Sequence, residues 1–192
     1  MTPARIIVGI SGASGAIYGI RALEMLLGCE GVESHLVLSQ AAGRTIAEET
    51  DWVPADVKAL ADVVHDNRDI GSSIASGSFI TAGMLVAPCS IKSLSGIVHG
   101  YAENLLVRAA DVCLKERRPL VLMVRETPLH PGHLELASKA AAYGAVVMPP
   151  VPAFYHRPKT VDDIVNQSVG RALDMLGLHT EFVQRWKDES RA

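Results

Sequence analysis

The residues with chemistry in them are not spread evenly along this chain. A glycine- and serine-rich segment, Ser11-Gly12-Ala13-Ser14-Gly15, follows the β-branched run Arg5–Ile10. Glycines let a backbone approach a ligand closely, and the N-terminus of a following helix favours an anion or a polar edge. The glycines fall at 9, 12 and 15, a GxxGxxG spacing that differs from the GxGxxG of dinucleotide-binding turns. Two readings stay open: a ligand-contacting loop, or a tight turn with Ser11 or Ser14 as helix cap. In Ala87-Pro-Cys-Ser-Ile-Lys-Ser93, Ser90, Lys92 and Ser93 are donors for a phosphate, or Ser90 is a plain cap. Cys89 reads as a buried thiol, since no His–Asp pair is placed to activate it.

Charge gathers around one apolar run. Lys115-Glu-Arg-Arg118 precedes Leu120–Val124, and Arg125-Glu126 follows it. These are either solvated strand ends or the lining of a site for an anion. Glu48-Glu49 closes a helical segment, where the macrodipole disfavours carboxylates. One of them is a candidate for proton transfer, with a solvated pair as the plain alternative. His130-Pro-Gly-His133 suggests a metal, but the Pro-Gly pair separates the imidazoles, and loop or cap roles are the expectation. Tyr155 and Arg157 stand in a proline-rich connection. Arg171 lies among Val169, Ala172, Leu173 and Leu176. It either snorkels to solvent, the default, or reaches an internal anion.

These residues need a scaffold. Strand-like runs are expected at Arg5–Ile10, Val32–Leu38, Met84–Ala87, Leu120–Val124 and Ala145–Met148. Helical patterns are expected over 17–27, 40–49, 55–64, 91–99, 103–115, 133–143 and 160–176. Strands alternating with helices predict an α/β fold: a three-layer Rossmann-like (flavodoxin-like) parallel sheet covered on both faces. A single domain over 1–192 is expected, with 178–192 as a C-terminal tail. Ligands then sit at the carboxyl ends of the strands. That rule gathers Ser11–Gly15, Ser39, Pro88–Ser93, Arg125-Glu126 and Pro152–Arg157.

Composition narrows the function classes. Of 192 residues, 48% are hydrophobic and 20% charged, which suits a folded core and not disorder. The net charge of -3 and 5% aromatic content give no footprint for nucleic acid. Three cysteines without a CxxC argue against a disulfide framework or zinc site and suit a reducing cytoplasm. No signal peptide and no apolar stretch of membrane-spanning length is read.

Taken together, the segments GISGASGAIYG, SQAAGRTIAEET, SGSF, APCSIKSL, HGYAENLLVRAADVCLKERRPLVLMVRETPLH, MPPVPAFYHRP and VDDIVNQSVGRALD resemble the UbiX-type flavin prenyltransferase family. They follow the family's order from Ile6 to Leu178. The resemblance implies transfer of a dimethylallyl group from dimethylallyl monophosphate to reduced FMN, at flavin N5 and C6. The product, prenylated FMN, serves a separate UbiD-type decarboxylase. It also implies no metal, and a homododecamer with sites at subunit contacts.

Carried over position by position, FMN contacts are expected from Gly12, Ala13, Ser14, Ser39, Ser90, Ile91, Lys92, Ser93 and Arg125. The allyl phosphate is expected at Lys115, Tyr155 and Arg171, with Arg108 and Arg125 assisting. Ser14, Glu49, Lys115 and Glu126 are the expected catalytic residues, with Ser14 near flavin N5. Trp186 matches a tryptophan that closes over the site, and Arg117 and Arg118 are expected to be structural or intersubunit. One departure stands out: where many relatives carry Arg-Thr-Asp-Gly after SGSF, this chain has Ile80-Thr-Ala-Gly83.

Three other functions fit parts of the pattern. A flavin-dependent cysteine-type decarboxylase lacks its Asn-containing motif and early His here. A non-catalytic FMN-binding subunit would not need Ser14, Glu49, Lys115, Glu126, Tyr155 and Arg171 together. Direct decarboxylation of an aromatic acid predicts activity without a partner protein.

Overall fold

The computed structural model describes residues 2–187. Six strands form one parallel sheet: β1 (Ala4–Ile10), β2 (Val32–Leu38), β3 (Val63–His65), β4 (Gly83–Cys89), β5 (Leu120–Val124) and β6 (Val146–Val147). Their order is β3-β2-β1-β4-β5-β6. The helices are α1 (Ala16–Leu27), α2 (Gln40–Glu49), α3 (Pro54–Ala59), α4 (Ile91–His99), α5 (Leu105–Lys115), α6 (Pro131–Ala142) and α7 (Val161–Asp174).

Side chains alternate across the pleat and so divide the core into two layers. Ile6, Val8 and Ile10 of β1, with Leu85 and Ala87 of β4 and Val121 and Met123 of β5, face α1, α2 and α7. Ile7, Met84, Val86, Leu120, Leu122 and Val124 face α4 and α5 on the other side. β4 and β5 are buried along their whole length, as expected of central strands in a doubly covered parallel sheet. The three-layer α/β reading holds.

Local differences from the sequence reading have local causes. The segment 55–64 is not one helix: α3 ends at Ala59 and Val63–His65 pairs with β2 as an edge strand. Three residues are too short to show a period of two. α6 starts at Pro131, two residues before the expected His133, because proline suits the first helical turn and His130 caps it by accepting from the Gly132 N–H at 3.1 Å. α5 starts at Leu105, behind an Asn104 cap.

Candidate functional site

The crossover from β1 leads to α1 on one face, and the crossover from β4 leads to α4 on the other. β1 and β4 are neighbours, so a crevice opens between the two departing loops at their carboxyl ends. This is the topological switch point where open α/β sheets bind ligands. Ser11, which is buried, joins the two loops. Its hydroxyl donates to the Pro88 carbonyl at 2.7 Å and accepts from the Ser90 N–H at 2.8 Å.

Neither Ser11 nor Ser14 caps α1, contrary to one of the two readings of the glycine loop. The N-cap is Gly15, at φ 96°, which has no side chain to cap the first turn. Left-handed backbone at that angle suits glycine, and the uncapped first turn leaves its N–H groups for a ligand. Gly12 is required for a different reason: a Cβ there would meet the Cβ of Ala41 at 2.3 Å. The loop therefore rests directly on the first turn of α2. Ala13 and Ser14 are half-buried between these fixed points.

The other helices entering the crevice carry their own caps. Ser39 accepts from Ala42 N–H, and Ser90 accepts from Ser93 N–H. Ile91 is half-buried, Ser93 buried, and Lys92 exposed, 3.4 Å from Glu103. Arg125 and Glu126 leave β5 beside them, exposed, with the Arg125 N–H bonded to the Cys89 carbonyl at 3.1 Å.

Glu49 completes this group. It sits on the last turn of α2, and its carboxylate accepts from the Gly15 N–H at 2.7 Å. The macrodipole penalty at the α2 end is thus offset by a donor at the start of α1. Tyr18, one turn into α1, is a member the sequence did not reveal. Burial raises its phenol above the usual range, while the charge of Arg125 opposes the rise.

Tyr155, Arg171 and Trp186 form a second group, along α7. Tyr155 accepts from the Gln167 amide at 2.6 Å, and Trp186 meets its ring edge-on at 5.8 Å between centroids. Arg171 is part-exposed, as a snorkelling arginine would be, but it also donates to the buried Asp174 at 2.5 Å. Burial would raise the Asp174 carboxyl, but hydrogen bonds from Arg185, His179 and Arg171 overcome it and hold the group at about 2. Gln167 and Asp174 are polar, buried and invisible to a pattern search, which takes them for ordinary helix positions.

Arg108 and Lys115 are a third group, on α5. Arg108 bonds the Ala75 carbonyl and Asp111, and Lys115 pairs with Glu116. α5 packs on the sheet face opposite α7. Lys115 also precedes β5 while Arg125 follows it, so the strand alone separates their backbones by roughly 17 Å at the usual rise per residue. A single chain therefore does not bring Lys115 to Arg125, and Arg171, one turn before the Leu176 that meets the Gly83 end of β4, lies towards the amino ends of the strands. Arg118 donates to the Gly77 and Phe79 carbonyls and braces that loop; Arg117 is exposed. Ile80 is 73% exposed and lines, with Arg5 and Phe79, a surface cavity of about 460 Å³.

The cysteines are unpaired, and burial pushes both the Cys89 and Cys113 thiols up to about 12, which removes them as nucleophiles. The His130 and His133 rings do meet, 3.6 Å apart, despite the intervening Pro-Gly, because the first residue caps α6 and the second lies on its first turn. Among the described residues no three of His, Cys, Asp and Glu form a metal site. No helix among them is long and apolar enough to cross a membrane.

Comparisons with known proteins agree with this geometry. Residues 1–173 match the Flavoprotein family. A flavin prenyltransferase UbiX of Salmonella typhimurium is 63% identical over 186 residues, covering 95% of this chain and 98% of that protein. A UbiX crystallised with FMN and dimethylallyl pyrophosphate superposes with a TM-score of 0.93 at 48% identity, covering 96% of this chain and 98% of the other. A dodecameric FMN-dependent UbiX-like decarboxylase of Escherichia coli O157:H7 also gives 0.93, at 49% identity over 95% and 99% of the two chains.

Proposed function

The chain belongs to the flavoprotein family and, within it, to the UbiX-type flavin prenyltransferases. From that premise we propose that it joins the dimethylallyl group of dimethylallyl monophosphate to N5 and C6 of reduced FMN, at the crevice between β1 and β4. The observation that carries this assignment is the meeting of Glu49, the uncapped α1 N-terminus and the Ser90–Ser93 turn at the switch point.

The residues present fit a flavin phosphate and a polar ring edge. Gly12, Ala13, Ser14, Ser39, Ser90, Ile91, Lys92, Ser93 and Arg125 would hold FMN, with amide and hydroxyl donors on a loop that Gly12 keeps close to α2. Reduced FMN supplies the nucleophilic atoms of the reaction. The protein's own contribution is threefold. The loops orient the two substrates and exclude water. Arg171, Tyr155 and Arg125, with Arg108 and Lys115, stabilise the charge that grows on the departing phosphate. Glu49 and Glu126 hold or move protons, Glu49 from a carboxylate fixed on the Gly15 N–H.

The division of these residues between the two faces of the sheet supports a site shared between copies of the chain, in a homododecamer such as the Escherichia coli relative forms. Lys115 and Arg108, and Arg171 from the amino-end side of the sheet, would then come from neighbouring copies. The product would pass to a UbiD-type decarboxylase. Free, buried thiols are in keeping with a cytoplasmic setting.

Complementation tests this reading. Glu49→Gln and Lys115→Ala chains, each inactive alone, are co-assembled in equal amounts and assayed for prenylated FMN. If the two residues of one site belong to different copies, about a quarter of the sites regain both. Absence of recovery in mixed oligomers contradicts the shared site.

A further inference from the structure

The last turn of α7 carries a carboxylate that the chemistry above leaves without a task. The Asp174 side chain is 3% exposed and is the final residue of the helix. There it faces the negative end of the helix dipole and is withdrawn from water, both unfavourable for a charge. An apolar residue would pack such a position at no electrostatic cost.

What surrounds it is specific. Arg171 donates to one oxygen at 2.5 Å. Arg185, from the C-terminal segment, straddles both oxygens at 3.1 and 2.8 Å. His179 meets one of them at 2.8 Å. The two arginine side chains are 41% and 34% exposed, so each keeps a solvent-facing part.

Gln167, Arg171 and Asp174 follow one another at i, i+4 and i+7, which places all three on one stripe of α7. Gln167 bonds the Tyr155 hydroxyl, and it holds the C-terminal segment through paired bonds with the Gln184 backbone at 3.0 and 3.1 Å. One helix stripe thereby fixes a phenol and two guanidinium groups. Arg171 and Arg185 are held against the same carboxylate.

We propose that Asp174 is a positioning residue that sets Arg171 and Arg185 side by side as a two-guanidinium clamp for the donor's phosphate, making Arg185 a further donor-binding residue. This rests on the reading that Arg171 holds that phosphate. Arginine suits the task, since its planar fork matches phosphate oxygens and loses little freedom once its stem is pinned.

The test uses the intact oligomer, with steady-state kinetics on reduced FMN and dimethylallyl monophosphate, and inorganic phosphate as competing probe. In Asp174→Asn and in Arg185→Gln the donor KM and the phosphate inhibition constant are expected to rise together by about tenfold, the scale of one lost charge-assisted contact. kcat and the FMN dissociation constant stay within a few-fold, and Arg185→Lys recovers part of the loss. Arg185→Gln alters only a side chain of the C-terminal segment and keeps the test decisive if Asp174→Asn does not fold. An unchanged donor KM in both variants, with Arg171→Gln still raising it, overturns the clamp and spares the donor site. An unchanged KM in Arg171→Gln as well overturns the donor site itself. A parallel fall of FMN affinity and thermal stability with donor KM unmoved assigns Asp174 a purely structural role and overturns the proposal.

Discussion

Glu49 and Gly15 are 34 positions apart in sequence, yet the Glu49 carboxylate accepts the Gly15 N–H at 2.7 Å. The bond ties the end of α2 to the beginning of α1 and sets a carboxylate at the mouth of the crevice. Glutamine is nearly isosteric and can still accept that hydrogen bond through its carbonyl oxygen, but it cannot take or give a proton at the same position. Glu49→Gln is therefore expected to bind FMN within a few-fold of the parent. Single-turnover product formation should fall by about 10²- to 10⁴-fold, the range of general acid–base contributions. Rapid-quench measurement under anaerobic conditions checks this, and near-parental turnover contradicts the role given to Glu49.

The crevice also depends on how its two loops are joined. Removing the Ser11 hydroxyl leaves the buried Pro88 carbonyl and the Ser90 N–H without that partner. The Pro88 carbonyl keeps the Ser11 N–H at 3.2 Å, so Ser11→Ala is expected to cost roughly 1–3 kcal/mol of stability chiefly through the orphaned Ser90 N–H. Its FMN affinity should weaken as well, since Ser90 begins the turn proposed to hold the flavin. Denaturant titration and flavin titration read the two effects. Gly12→Ala should weaken FMN binding with a comparable stability cost, because its Cβ collides with Ala41.

Acid should release the Asp174 cluster. Its folded value, about 2, lies below the ordinary 3.8. Stability from this group is therefore fully present above about pH 4 and is lost as pH falls through 4 towards 2. The loss is at most about 2 kcal/mol by linkage. Glu33 and Asp62 are also held low, the first by hydrogen bonds from His35 and Arg5, the second by the Ser34 backbone and side chain. They add to the loss in the same direction. Urea midpoints measured from pH 6 to pH 2.5 should fall less steeply for Asp174→Asn than for the parent.

Much of this was written in local sequence. The buried runs of β4 and β5 and the Ser90 cap follow from short-range rules, and so does the strand–glycine–helix unit at the start; the Asn104 cap is missed because the helix is expected from Glu103. The switch point then follows from alternation alone. The parts not legible are those made by long-range packing. The Ser11 bridge spans 77 and 79 positions, and nothing beside Ser11 announces it. Tyr18 meets the charge of Arg125 only because β1, β4 and β5 are adjacent. Arg171 was expected to snorkel because no anion lies in its own apolar stripe until Asp174 is seen to turn inward. The grouping of Lys115 with Tyr155 came from resemblance and not from the residues. The fold explains why no pattern within one chain could supply it, since Lys115 stands on α5 while Tyr155 is bonded by Gln167 of α7, on the opposite face.

The most direct test of the whole account is the mass of the flavin after reaction. Purified protein is incubated anaerobically with reduced FMN and dimethylallyl monophosphate, and the extracted flavin is weighed by mass spectrometry. The account predicts a flavin heavier by one dimethylallyl group, formed by the parent protein and greatly slowed in Glu49→Gln. Unmodified FMN retained on folded, correctly assembled protein would contradict it and point to a flavin carrier.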